Sequence, residues 1–387
     1  MNRMQAWWFA RQGLDAVQPL SPKEAAQRYG WLRSVGSANP YLAIRSRTGA
    51  SRTEIEQAVT DAELVELPAA RGCTYYVPRD EAGIALRLAA MGSCNAEFKM
   101  AEKHLGATED EVAKLADNMA AALAGGPLDA RAISAIVSPR HLGEAGKKKG
   151  MMTTSVLGIS RLQIEGRIRR LPQGGRLDTE RFQYTLWEDG PRPGEVDEET
   201  LAHDLADRYF SWIGPSTEKE FREFTGISAK LSKLAVANLV ACPDHPSMLM
   251  RPDDVEAYEA VEKTDGRVVL LSSIDSWIHL RRNLPSLLDP EDTERTLPNG
   301  DKLQGANSLK DIDSHPIAMD GIVVGIWEYD YDAQEIAAWT WRPCAAVTEA
   351  IESTGKWITE ELGDFRSFSL DSPKSRVPRI ELLRALA

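Results

Sequence analysis

Apolar residues spaced three and four apart give way to period-two stretches three times along the chain, each time in the same order. Residues ~21–33, ~39–47 and 51–60 read as helices, followed by strands at Glu63–Ala69 and Cys73–Val77. Residues 129–137 and Met152–Glu165 read as helices either side of a turn at 138–150. Val156, Ile159 and Leu162 mark an apolar edge, and strands at Arg167–Leu171 and Arg181–Trp187 follow. Helices near 197–212, 217–225 and 228–238 then lead into strands at 239–242 and 247–251. Each repeat has a capped start. Ser21-Pro22 with Glu24 and Thr217 with Glu220 form capping boxes, and Asp129 stands as an N-cap without the returning Glu.

Helix–helix–helix–hairpin is the order of a helix-turn-helix with a β wing. The expected fold is α+β: three tandem winged-helix units followed by a β-rich C-terminal domain. Winged helices are assigned to residues 1–79, 125–190 and 191–252, with an Ala-rich helical connector at 80–124. Strand-like Val268–Ser272, Ile317–Met319, Ile322–Tyr329 and Glu335–Trp341, with a tight turn at Asp320-Gly321, place the β-rich domain at 253–344. A helix near 345–362 and a basic tail at Pro373–Arg379 complete a C-terminal segment, 345–387.

At 387 residues the chain has room for two or three domains, and 43% hydrophobic with 27% charged residues excludes wholesale disorder. No apolar run approaches the ~20 residues of a membrane span, and the N-terminus lacks a secretory pattern, so a cytoplasmic protein is expected. Cys73, Cys94, Cys242 and Cys344 are too scattered for a zinc site, and the six histidines form no metal-binding pair. No phosphate-binding glycine loop is present, so no metal or cofactor is expected.

The net charge of −12 hides an asymmetry: residues 1–170 carry 23 Lys and Arg against 18 Asp and Glu, and the remainder 23 against 40. A basic first part suits a one-sided nucleic-acid surface. Its candidate DNA contacts are Arg33, Arg45 and Arg47, the last two ending an expected recognition helix. A second group is Lys147, Lys148 and Lys149, placed before the helix at Met152, with Arg161, Arg167, Arg169 and Arg170 on that helix and its wing. Such cations position a protein on phosphates without reading sequence.

Five segments resemble a known family. They are Arg11-Gln12-Gly13-Leu14; Arg71-Gly72-Cys73-Thr74-Tyr75-Tyr76-Val77-Pro78; Trp212-Ile213-Gly214-Pro215 with Phe224-Thr225-Gly226; Leu270–Trp277; and Met319–Trp327. In this order the chain is similar to the winged-helix DNA glycosylases of the AlkZ and YcaQ type over about residues 10–342. The resemblance implies tandem winged helices and a β-rich part around a concave duplex-DNA surface. It also implies excision of alkylated bases, bulky adducts and crosslinks, without a metal or cofactor.

One motif departs from that pattern. The family's Gln-x-Gln or Gln-x-Asp falls here on Gly36-Ser37-Ala38 or, shifted by one, on Ser37-Ala38-Asn39, and neither register supplies a glutamine or carboxylate. Even an activated alkylpurine needs a group to orient water and one to stabilise the cationic sugar. By position alone the catalytic candidates are Asn39 and Ser37, although Asn39 is better explained as the N-cap of a helix starting at Pro40. Three functions fit: a duplex-DNA binder without base excision, which we expect; an active glycosylase with an altered site; or a small-molecule-responsive regulator whose pocket uses Trp327, Tyr329, Trp339 and Trp341.

Overall fold

The computed structural model describes residues 2–193, 196–261, 266–299, 302–367 and 371–387. An N-terminal helix α1 (Arg3–Arg11) precedes α2 (Pro22–Tyr29), β1 (Leu32–Arg33), α3 (Asn39–Thr48), α4 (Arg52–Thr60) and the hairpin β2 (Leu64–Pro68) and β3 (Thr74–Pro78). The expected helix to residue 33 stops at Tyr29, because Gly30 takes φ 107°. Leu32 and Arg33 instead pair with Tyr76 and Tyr75.

Three connector helices follow: α5 (Ala82–Met91), α6 (Ser93–Leu105) and α7 (Glu109–Leu123). Then come α8 (Ala130–Val137), α9 (Gly143–Lys147), α10 (Ser155–Ile164), β4 (Ile168–Pro172) and β5 (Phe182–Leu186). The first two hairpins are joined into one antiparallel sheet of order β1-β3-β2-β4-β5, through Glu66 opposite Arg170. α10 begins three residues later than expected, and Val156 points to solvent while Ile159 and Leu162 are buried.

Next are α11 (Glu198–Ile213), α12 (Glu218–Thr225), α13 (Ala229–Ala235) and the small hairpin β6 (Val240–Ala241) and β7 (Leu249–Met250). The boxes at Ser21/Glu24 and Thr217/Glu220 and the Asp129 cap are all formed. Each satisfies backbone donors that the first helical turn leaves without partners.

The C-terminal part holds α14 (Val255–Glu259), β8 (Val268–Leu270), α15 (Ser276–His279), β9 (Thr296–Asn299), β10 (Lys302–Gly305), β11 (His315–Met319), β12 (Ile322–Asp330) and β13 (Glu335–Thr340). Asp320 and Gly321 take φ 52° and 93°, the double left-handed turn that the dipeptide predicts. A Cβ on Gly321 would sit 2.2 Å from the Gln5 carbonyl oxygen, so the turn also docks on α1.

The chain ends in α16 (Ala345–Trp357) and α17 (Pro373–Leu386). The expected basic tail is therefore a docked helix. Its Arg376 is buried and pairs with Asp364 at 2.7 Å, and Arg379 pairs with Glu328 at 2.9 Å.

The sheet of order β13-β12-β11-β8 is covered on both faces. On one side Ile322, Val324 and Trp327 pack with Leu42 and Ile44 of α3 and Trp357 of α16. On the other, Val323 and Ile326 pack with Trp7 and Phe9 of α1 and with Trp277. Double burial explains why β12 reads as a near-continuous apolar run. Trp327 and Tyr329 are core, and Trp339 and Trp341 pack at its edge, with Arg295 lying 4.9 Å from the Trp341 ring centre.

Candidate nucleic-acid interface

The stretch expected to hold the chemistry is sealed. Ser37 is 0% and Asn39 1% exposed, and Gly36 and Ala38 are buried with them. The Ser37 hydroxyl donates to the Ser34 carbonyl at 2.7 Å and accepts from the Asn39 backbone N–H at 3.3 Å. The Asn39 amide donates to the Arg33 carbonyl at 2.8 Å, which leaves its Oδ1 buried without a partner. Asn39 is not the N-cap of α3, as expected from sequence; it lies inside the first turn, and Ala38 is the cap, without a side-chain hydrogen bond of its own. The Ala38 N–H instead donates to the carbonyl of Arg366 at 3.1 Å, so the chain at Arg366 lies over the loop.

The first group of expected DNA contacts is used internally. Arg47 is 2% exposed and makes two hydrogen bonds, of 2.9 and 2.8 Å, to the two oxygens of Asp275, itself 0% exposed. Two further bonds reach Gln12, through its carbonyl at 2.8 Å and its side-chain oxygen at 3.0 Å. Arg47 is thus a tie between α3 and the Leu270–Trp277 segment, a correction to its expected role: Asp275 already caps α15, and its carboxylate needs a buried cation. Arg45 lies 4.6 Å from the Trp357 ring centre, half-buried, at the edge of a cleft of about 430 Å³. Burial lowers its pKa. Arg33 is turned towards His279 and Cys73 rather than outwards.

The second group divides. Arg170 is paired with Glu66 across the joined sheet, with its Nε 3.0 Å from Oε2, and its guanidinium covers Phe182. Arg161 is held by Glu109 and Glu165, and Arg167 lies 2.9 Å from Asp117. Among the described residues Arg169 has no carboxylate partner; with Arg79 and Trp187 it lines a cleft of about 390 Å³, and burial with the nearby Arg79 lowers its pKa.

Lys147, Lys148 and Lys149 are exposed, and among the described residues only Lys147 is near an anion, Glu144 at 4.0 Å. They do not precede a helix start directly. They end α9 and its following turn, six residues before α10, because Gly150 at φ 73° turns the chain first. α10 itself packs against α7, α5 and α6 and presents only Val156 as an exposed residue.

Sequence reasoning missed a third basic face. On α12 Lys219 and Arg222 are exposed, and on α13 Ala229, Lys230, Lys233 and Leu234 form an open stripe opposite buried Ser232 and Ala235. Among the described residues none of these four cations is in an ion pair. The signal was present: lysines three apart, out of phase with the buried positions, in a short capped helix. The acidity of the whole C-terminal half concealed it.

Among the described residues no group of His, Cys, Asp and Glu side chains could hold a metal ion, and no helix is long and apolar enough to cross a membrane. The cysteines are free, with Cys94 and Cys242 buried, Cys73 half-buried and Cys344 exposed.

The described residues form a mixed α/β chain of helix groups closed by hairpins. The chain belongs to the AlkZ-like DNA glycosylase family, whose profile, described as DNA glycosylase AlkZ-like, matches residues 26–368. Among solved structures it is similar to the Streptomyces sahachiroi DNA glycosylase AlkZ, at 19% identity and a TM-score of 0.69, covering 94% of this chain and 97% of that one. Comparison with curated protein sequences gave no match.

Proposed function

We propose that this protein binds duplex DNA through three tandem winged-helix units, 1–79, 125–190 and 191–252, and does not excise bases at residues 36–47. The observation that carries this reading is the sealed loop. The positions matching the family's catalytic motif carry Gly36, Ser37, Ala38 and Asn39, all buried and under the Arg366 segment. Hydrolysis of a glycosidic bond needs a polar group within reach of both the water and the extruded sugar, and this loop offers none to solvent.

Family membership and the exposed cations Lys147–Lys149, Lys219, Arg222, Lys230 and Lys233 support DNA as the partner. Contacts of this kind neutralise phosphates, so affinity falls steeply with salt. Recognition of damaged or crosslinked duplex is the context that the family suggests. No metal or cofactor enters the reading.

The test is a single-turnover assay on duplex carrying N7-methylguanine, beside a binding titration over salt. We expect tight, salt-sensitive binding without abasic sites. Abasic-site formation would overturn the non-catalytic reading, and binding indifferent to salt would overturn the DNA-binding one.

A further inference from the structure

Arg33 on β1 stands directly opposite Tyr75 on β3, so their side chains share one face of the first sheet with Cys73, two residues before Tyr75. Against this face lies His279, at the end of α15. Arg33 reaches both the His279 ring and Cys73, with its Nη2 3.2 Å from the thiol sulfur. Arg71 donates from Nη1 to the His279 ring at 3.2 Å and to the His279 carbonyl at 3.1 Å, while its Nε donates to the Glu223 carbonyl at 2.9 Å.

Burial and the surrounding arginines hold the His279 pKa down at about 2, so the ring is a neutral acceptor shared by two guanidiniums. Neither Arg33 nor Arg71 is in an ion pair among the described residues. The carboxylate nearest the ring, Asp311, is engaged by Arg282 with an Nε–Oδ2 distance of 2.8 Å. Glu223 turns its side chain to Lys310, 3.5 Å away.

Among the described residues, three donors here have no partner: Arg33 Nε, Arg71 Nη2 and the Tyr75 hydroxyl. Tyr75 is 2% exposed, and burial raises its pKa to about 12, so it keeps its proton. A buried donor without an acceptor costs about 1–3 kcal/mol, and such groups mark an ion or water that belongs there. Water would supply acceptors but would leave two guanidiniums uncompensated. A tetrahedral oxyanion supplies both charge and several acceptor oxygens. Beside the cluster, the Arg282 and Asp311 side chains are each about one-third exposed.

We propose that Arg33, Arg71 and Tyr75, backed by His279, form a binding site for a phosphate group. Two sources share this chemistry: a phosphate of a DNA strand, and a free phosphomonoester. The site adjoins the loop at residues 36–39, since the Arg33 carbonyl accepts from the Asn39 amide, and does not depend on the chain binding duplex.

The test is calorimetric titration of the full chain with inorganic phosphate at constant ionic strength. Saturable one-to-one binding is expected, weakened about tenfold by Arg71→Gln and less by Tyr75→Phe. No saturable binding, or unchanged affinity in a folded Arg71→Gln protein, would overturn the proposal. Should that variant not fold, alkylation of the wild-type chain decides. Phosphate should slow modification of Cys73 and leave that of exposed Cys344 unchanged, and equal protection of neither would count against the site. Repeating the titration with saturating duplex separates the sources: loss of phosphate binding identifies a strand phosphate, retention a free phosphomonoester. If the chain binds no duplex, the phosphate titration still stands alone.

Discussion

The first and third helix–hairpin groups use their cations in opposite ways. In the first, Arg47 and Arg33 face inwards, one on a buried carboxylate and one on a neutral imidazole. In the third, Lys219, Arg222, Lys230 and Lys233 face water, without carboxylate partners among the described residues. The difference follows from what covers each group. α3 is enclosed by the C-terminal sheet and α16, so any cation on it must find a partner within the protein. α13 packs on α11 and α12 along one side and leaves the other open. Arginine suits the enclosed positions because its fork meets a carboxylate with two bonds, and lysine suits the open face as a hydrated point charge.

The contrast breaks most sharply at Arg47. Arg47→Ala leaves Asp275 buried and uncompensated, and urea unfolding should show a loss of about 3–5 kcal/mol. A loss under 1 kcal/mol would mean that the pair is solvated. The same substitution at Lys233 should leave stability within about 0.5 kcal/mol.

Acid should separate the two regions next. His279, facing Arg33, Arg71, Arg282 and Asp311, and His315, near Arg376 and Arg379, have pKa values lowered by burial to about 2 and about 3. Above the ordinary value of 6.5 both states are neutral. As pH falls below it, the unfolded chain takes up protons that the folded chain refuses, so stability declines towards pH 3. Each histidine contributes a slope of about 1.4 kcal/mol per pH unit. His279→Gln should make the decline shallower, and an unchanged slope would show that the ring is not held neutral.

Smaller effects belong to the open faces. Changing Lys147–Lys149 together to Ala should lower duplex affinity about tenfold at 0.1 M salt and flatten the salt dependence by up to three contacts. Unchanged affinity would remove that loop from the interface. Lys230→Ala with Lys233→Ala should cost somewhat less, with a loss of about two contacts from the slope; equal binding would confine the interface to the second group. Least of all, Arg161→Ala should change affinity less than about twofold, because Glu109 and Glu165 already neutralise it.

Helix starts were the most legible feature of the chain. Ser21/Glu24, Thr217/Glu220 and Asp129 act through residues three apart, and nothing distant alters them. Hairpins were legible too, since β-branched and aromatic runs around turn residues need only each other. The join between the first two hairpins was not, because it rests on one pair, Glu66 opposite Arg170, 104 residues apart. The basic tail misled for a similar reason. Arg376 and Arg379 read as solvated until Asp364, Asp371 and Glu328 are brought to them.

The candidate site shows the same division. The absence of glutamine at residues 36–39 is a property of the sequence, and so is the resemblance that makes it matter. The burial of Ser37 and Asn39 under Arg366 is not, since it joins positions more than 300 apart. By itself the sequence determined the caps, the turn at Asp320-Gly321, the order of helices and hairpins and the kinds of side chain available. Tertiary structure alone decided which cations face DNA and which face carboxylates, because a charge is free or spent according to what the fold places within about 4 Å of it.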